Sequence, residues 1–172
     1  MDFTVVRDTL EPMPMHRRQA LRMLALTLSG LALAAPRTPS SSDPLRGLSA
    51  VTYKSPTCGC CTGYVRFLES QGVRVRVTLE EDAALERFKD SLGIPAHVRS
   101  CHVTRLGGYL VEGHVPLAAL VKLLRERPHI EGIALPGMPV GVPGMPGRSP
   151  APHRVVAFVQ GRVTPFLTVP SA

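Results

Sequence analysis

The sequence predicts an α/β protein in which a mixed central sheet is flanked by helices and followed by a Pro/Gly-rich loop and a C-terminal β extension. Three observations carry this. A strand, a helix and a strand follow one another within about thirty residues, the size of a βαβ unit. Apolar residues recur at helical spacing in two later segments. A Gly-Gly dipeptide joins two short runs of strand-forming residues, as in a hairpin.

Each element has its own signal. Ala50-Val51-Thr52-Tyr53 is strand-forming and runs into the turn-like Ser55-Pro56-Thr57. Cys61, Tyr64, Val65 and Leu68 stand at i, i+3, i+4 and i+7, one apolar helix face ended by Gly72. Val73, Val75 and Val77 alternate with Arg74 and Arg76, which predicts a strand with one buried face. A second helix is expected over 82–92, with Leu85, Phe88 and Leu92 on one side and Gly93 and Pro95 as its stop. The segments 102–106 and 109–112 flank Gly107-Gly108 as a hairpin. A third helix is expected over 115–127, with Leu117, Leu120, Val121 and Leu124 as its face. The order βαβ, α, ββ, α matches a thioredoxin-like arrangement. Repeated Pro and Gly over 136–147 exclude regular helix and a central strand. Segments 155–159 and 163–169, joined at Gln160-Gly161, form the β extension.

The chain has 172 residues, enough for one domain with an extension. His16-Arg17-Arg18 precedes an apolar run over 23–35 and the A-x-A site Ala32-Leu33-Ala34, the pattern of a twin-arginine export signal. That run is too short to span a membrane, which takes about 20 residues. The expected organisation is an export signal over 1–35, a flexible linker over 36–47 and a thioredoxin-like metal-binding domain over 48–172. The mature protein is then periplasmic or otherwise exported, without a membrane span, and the twin-arginine export machinery is a partner. The net charge is +7, and only one unit of it belongs to residues 1–34. The arginines are scattered, with no basic run and no interleaved aromatics, which argues against a nucleic-acid surface.

All four cysteines, Cys58, Cys60, Cys61 and Cys101, fall in the domain expected to be exported, where two structural disulfides are the first expectation. The spacing opposes that. Adjacent Cys60 and Cys61 bond only with severe strain and Cys58 to Cys60 closes a very tight ring, so three thiols in four residues cannot all be staples. They also sit where a helix start favours thiolates. Clustered thiolates repel unless a cation neutralises them, and cysteinate is a soft ligand that selects Cu(I), Zn(II) or iron–sulfur units. In a thioredoxin-like order, Cys101 lies in a turn beside that helix start. A single tetrahedral Zn(II) fits the ligand count, but adjacent cysteines make its geometry awkward, and copper is favoured over zinc once this is combined with the family resemblance described below. His102, His114, Met138 and Met145 are candidate auxiliary ligands. Their ordinary alternatives are an opposite strand face, a helix cap and loop packing. His97, His129 and His153 have no soft neighbours in sequence and are expected at the solvated surface.

Five motifs in order, Tyr53-Lys54-Ser55-Pro56-Thr57-Cys58-Gly59-Cys60-Cys61, Ser100-Cys101-His102, Gly107-Gly108-Tyr109, Glu112-Gly113-His114-Val115-Pro116 and Pro136-Gly137-Met138-Pro139-Val140-Gly141, resemble the CopG-type periplasmic copper-resistance family. The resemblance implies a thioredoxin-like domain that binds copper through Cys58, Cys60, Cys61 and Cys101, with His102 and His114. It also implies a part in envelope copper detoxification, alongside another envelope copper-handling protein, with interconversion of Cu(I) and Cu(II) as an associated activity. The expectation is a binding protein rather than an enzyme. Its main rival is a thioredoxin-like thiol–disulfide oxidoreductase, since Cys58 and Cys61 also make a C-x-x-C pair. An arsenate-reductase-like enzyme has fold order alone behind it, and a disulfide-pinned scaffold remains the plain alternative.

Overall fold

A computed structural model describes residues 44–171. The expected export signal and linker residues 36–43 lie outside the described residues.

Strand β1 (Ser49–Lys54) leads through Ser55-Pro56-Thr57 into helix α1 (Gly59–Ser70) and then strand β2 (Arg74–Leu79). Helix α2 (Asp82–Ser91) and a 3-10 turn (Ala96–Val98) precede the hairpin of β3 (His102–Leu106) and β4 (Tyr109–Glu112). Helix α3 (Leu117–Glu126), the short strand β5 (Gly132–Ala134) and the hairpin of β6 (His153–Val159) and β7 (Arg162–Val169) complete the order. The strands form one mixed sheet in the order β2-β1-β3-β4-β5-β6-β7. β1 runs parallel to β2 and β4 to β5, and the other neighbours are antiparallel. This is a thioredoxin-like α/β fold with a β extension.

Strand alternation divides the apolar residues between two faces. Leu106, Val111, Ile133 and Val155 pack with Leu68 of α1 and Leu120 and Leu123 of α3. Val103, Ala134 and Phe158 pack with Leu85 of α2, Ile94 and Val98. The predicted face of α1 is the buried one: Cys61, Tyr64, Val65 and Leu68.

Several expectations shift. The linker was expected to run to residue 47, yet Leu45 is fully buried in the main core and Gly47 donates to the Gly72 carbonyl at 2.9 Å. A single large apolar side chain is enough to fasten that segment. The buried face predicted for β2 is only partial: Val73 is buried just before the strand, whereas Val77 is 41% exposed. β2 is an edge strand, with a neighbour on one side alone. On α3 the fully buried stripe is Ala119, Leu120 and Leu123, and Leu117, Val121 and Leu124 flank it. His153 was expected at the surface but begins β6 and is buried.

β5 has no counterpart in the sequence prediction. It is three residues long, and a Cβ at Gly132 would run into the Leu110 carbonyl and the Phe158 ring. The glycine that weakens its strand signal is required by that close approach. The end of β1, the start of β3 and the end of β4 lie in register, Lys54 opposite His102 and Val103 opposite Glu112. One end of these interior strands therefore gathers the cysteine- and histidine-bearing segments.

Candidate metal centre

Cys58 is the N-cap of α1, with extended backbone, and its sulfur accepts from the Cys61 amide at 3.3 Å. Its own amide donates to the Ser55 carbonyl at 3.2 Å, which fixes the turn from β1. Such a cap satisfies one of the helix's open amides and draws the first turn tightly around the sulfur. Cys58 and Cys61 form a disulfide, and Cys60 and Cys101 are not disulfide-bonded. Cys60 Sγ lies 3.5 Å from Cys58 Sγ and 3.9 Å from Cys101 Sγ. The four sulfurs are all within 4.8 Å of one another. Chain segments forty residues apart thus bring their thiols together, as the fold order predicts.

Cys101 also belongs to a second group, because its sulfur and donor nitrogens of His102 and His114 lie within 4.8 Å of one another. Cys101 Sγ is 3.2 Å from His114 Nε2 and 3.4 Å from His102 Nδ1. His114 Nδ1 sits 2.7 Å from the Pro143 carbonyl oxygen, which can only accept. His114 therefore carries its proton on Nδ1 and turns the Nε2 lone pair towards the sulfur, the orientation a metal-binding imidazole needs. His102 is fully buried and its Nε2 has no hydrogen-bond partner. Burial, reinforced by His114, Lys89 and Lys54, holds it well below the usual imidazole range, so it is neutral. Burial likewise lowers His114, against the opposing pull of Pro143. Two neutral imidazoles, His102 through Nδ1 and His114 through Nε2, stand beside the cluster of sulfurs and make a soft donor set with it.

The helix start is expected to favour thiolates, but at Cys101 burial dominates. It pushes the thiol up to about 12, with the neighbouring Cys60 adding to the rise and the Ser100 hydroxyl opposing it. Cys101 lies at the head of β3, not on the helix, so it gains little from the dipole of α1. Without a cation its proton stays on at neutral pH.

Tyr64 closes the site from the core side. Its ring centroid is 4.7 Å from that of His102 and 5.6 Å from that of His114, and its hydroxyl donates to the Val115 carbonyl at 3.1 Å. Its place on the apolar face of α1 suggests core packing alone. Replacing Tyr64 with phenylalanine should lower stability by about 1–2 kcal/mol, because the buried carbonyl loses its donor. The ring contacts remain, so the metal spectrum of the variant should match that of the parent; chemical denaturation and absorption spectroscopy check the two parts.

The Pro/Gly loop forms the outer wall. Gly144, at φ +82°, packs so closely on the first turn of α1 that a Cβ there would lie 2.6 Å from the Cys60 carbonyl oxygen and 2.7 Å from the Tyr64 nitrogen. From the other side, a Cβ on Gly63 would lie 2.9 Å from Gly144 Cα. Gly63, a weak helix former in the first turn, is there because the loop backbone occupies its side-chain space. The same contact brings the preceding Pro143 carbonyl to His114. Of the two methionines in this loop, Met138 is 57% exposed and Met145 is half-buried against the main core. His97 and His129 are exposed, as expected.

A layer that the sequence does not reveal lies behind the donors. Lys89 and Glu112 are both fully buried, with Nζ and Oε1 2.9 Å apart. Burial pushes the Glu112 carboxyl up to about 7, against the pull of Lys89 and the Ser100 amide. A lysine on an amphipathic helix reads as solvated, so Lys89 carries no signal of its own.

Residues 98–145 match the model of a family described as a protein of unknown function, DUF411. Two solved structures, copper resistance protein copG in form 1 and form 2, are each 37% identical to the chain, with TM-scores of 0.64 and 0.65. Each comparison covers 72% of this chain and 98% of the solved one. No curated protein sequence matches.

Proposed function

Because the chain belongs to the CopG copper-resistance family, we propose that it is an exported copper-binding protein that holds Cu(I), as a polynuclear thiolate cluster, in envelope copper resistance or homeostasis. The observation that carries this reading is the convergence at Cys101 of three other sulfurs and two neutral imidazoles. Thiolate and imidazole suit Cu(I), and a bridging thiolate can serve more than one ion. Cys58, Cys60, Cys61, Cys101, His102 and His114 are the donors, with Met138 and Met145 as auxiliary thioethers in the overlying loop. Zinc is the less suitable ion, since Cys60 and Cys61 are adjacent and cannot both approach one tetrahedral centre easily. Copper ions, another envelope copper-handling protein and the twin-arginine export machinery are the partners of this reading. Its organisation is an export signal over 1–35 followed by the metal-binding domain, to whose core Leu45 already belongs. Within the described residues no helix is long and apolar enough to cross a membrane.

A bonded pair offers no thiolate, so reduction of Cys58–Cys61 sets the capacity of the site. Reduced protein should take up several Cu(I) equivalents, with an ultraviolet charge-transfer band, and the oxidised protein distinctly fewer. Reduced protein that draws no Cu(I) from a chelator of moderate affinity would defeat the reading. The same bond favours a second one, a thiol–disulfide oxidoreductase that uses Cys58 and Cys61. Cys60 separates the two, because a third thiol 3.5 Å from Cys58 would resolve mixed disulfides wrongly. Insulin reduction that persists in a Cys60→Ser variant supports the oxidoreductase; lowered Cu(I) uptake in that variant supports the copper site.

A further inference from the structure

We propose that Lys89 and Glu112 are positioning residues of the metal centre, a buried ionic clamp whose task is to hold the Ser100–Cys101 peptide where the Cys101 sulfur can meet the other donors. The inference rests on the copper reading of the site and adds to it residues that touch no metal.

Both charged groups close on one residue. Lys89 Nζ donates to the Ser100 carbonyl at 2.5 Å, and the Ser100 amide donates to Glu112 Oε1 at 2.7 Å. The two groups bind each other at 2.9 Å, so the backbone of Ser100 is gripped on both its polar atoms. Its hydroxyl donates to the Gly137 carbonyl at 2.5 Å, which ties the same point to the outer loop. Gly113 makes room for this: at φ +75°, a Cβ there would lie 2.6 Å from Ser100 Cβ. Nothing of Ser100 is left free to swing, and the next residue is Cys101.

The other cysteine loop is held in the same manner. Lys54, 4% exposed at the end of β1, donates from Nζ to the Ser55 carbonyl at 2.8 Å. That carbonyl also accepts from the Cys58 amide. Two buried ammonium groups thus anchor the two turns that lead into the cysteines. A fold does not need this arrangement for cohesion, because apolar residues of similar volume commonly serve as well as a buried ion pair. A fixed direction is what the pair supplies: one charged group bonded to the peptide before Ser100 and one to the peptide after it set the orientation of the residue between, which apolar packing leaves looser.

The test uses the full chain, reduced and metal-free, and the double variant Lys89→Met/Glu112→Leu, which removes both charges together. Circular dichroism and thermal melting establish that the variant folds. Two readouts respond to the position of Cys101 and not to global stability. Competitive alkylation followed by mass spectrometry should show Cys101 more reactive relative to Cys60. Copper X-ray absorption after Cu(I) loading should show fewer sulfur neighbours per copper, with affinity lower by about 10- to 100-fold, as for outer-shell partners of metal ligands. A folded variant with the parent's alkylation ratio and sulfur count overturns the clamp. Should the variant not fold, hydrogen exchange in the parent decides: the Ser100 amide is expected to exchange as slowly as the amides of β3, and fast exchange overturns the proposal. A parent protein that binds no Cu(I) counts against the copper reading alone, since the alkylation ratio and the amide exchange are both read without metal.

Discussion

Replacing Cys101 with serine is expected to lower Cu(I) affinity by roughly 100-fold or more, beyond the usual cost of losing an outer-shell partner. Cys101 Sγ lies within 4 Å of another cysteine sulfur and of both imidazoles. Serine keeps the shape of the side chain and removes the soft donor, and a hydroxyl is a poor ligand for Cu(I). The substitution also separates the sulfur group from the imidazole group. Fewer copper equivalents should therefore bind, and the charge-transfer band should fall in step. Chelator competition on reduced protein measures the affinity. An unchanged copper count would mean that the C-x-C-C segment suffices by itself. The fold should hold, since Cys101 is only half-buried and the strand behind it keeps its register.

Replacing Gly144 with valine should cost about 3 kcal/mol or more, the sum of a β-branched residue forced to positive φ and a side chain driven into backbone. Its Cβ would collide with the Cys60 carbonyl and the Tyr64 amide, which belong to a helix turn and cannot rotate away. The loop must lift, and as it lifts the Pro143 carbonyl leaves His114 Nδ1. The expected result is a lower denaturation midpoint together with a changed copper spectrum, because His114 loses the group that sets its tautomer. A mirrored but smaller effect is expected at Gly63, where φ is helical and only the contact with Gly144 opposes a side chain. A Gly144→Val protein with the parent's stability and spectrum would show that the loop does not set the imidazole.

Much of this site is legible in the sequence, and the illegible parts have physical reasons. The face of α1, the Gly-Gly hairpin and the cysteine spacing are local signals, so they survive without knowledge of the fold. The convergence of Cys101 on Cys60 is inferred from element order and holds at 3.9 Å. Pro143 contributes through a backbone carbonyl, which no side-chain pattern can announce. Lys89 looks like an ordinary helix charge and Glu112 stands out only as part of a motif, and burial is what reveals them as a pair. Gly63 reads as a weakness of the helix until its partner is seen. β5 was missed because three residues, one of them glycine, fall below the length at which periodicity carries information.

The donors and their support come from four separated stretches: 58–61, 101–102, 114 and the carbonyl of residue 143. A nascent chain that has not yet reached residue 143 offers an incoming ion only the local thiol triplet, and later the sulfur at 101, without a fixed imidazole. Capture by the whole constellation is thus a closing event of folding rather than its nucleus. On the copper reading, a signal that depends on the His114 imidazole would report that the outer loop has been laid down as far as residue 143.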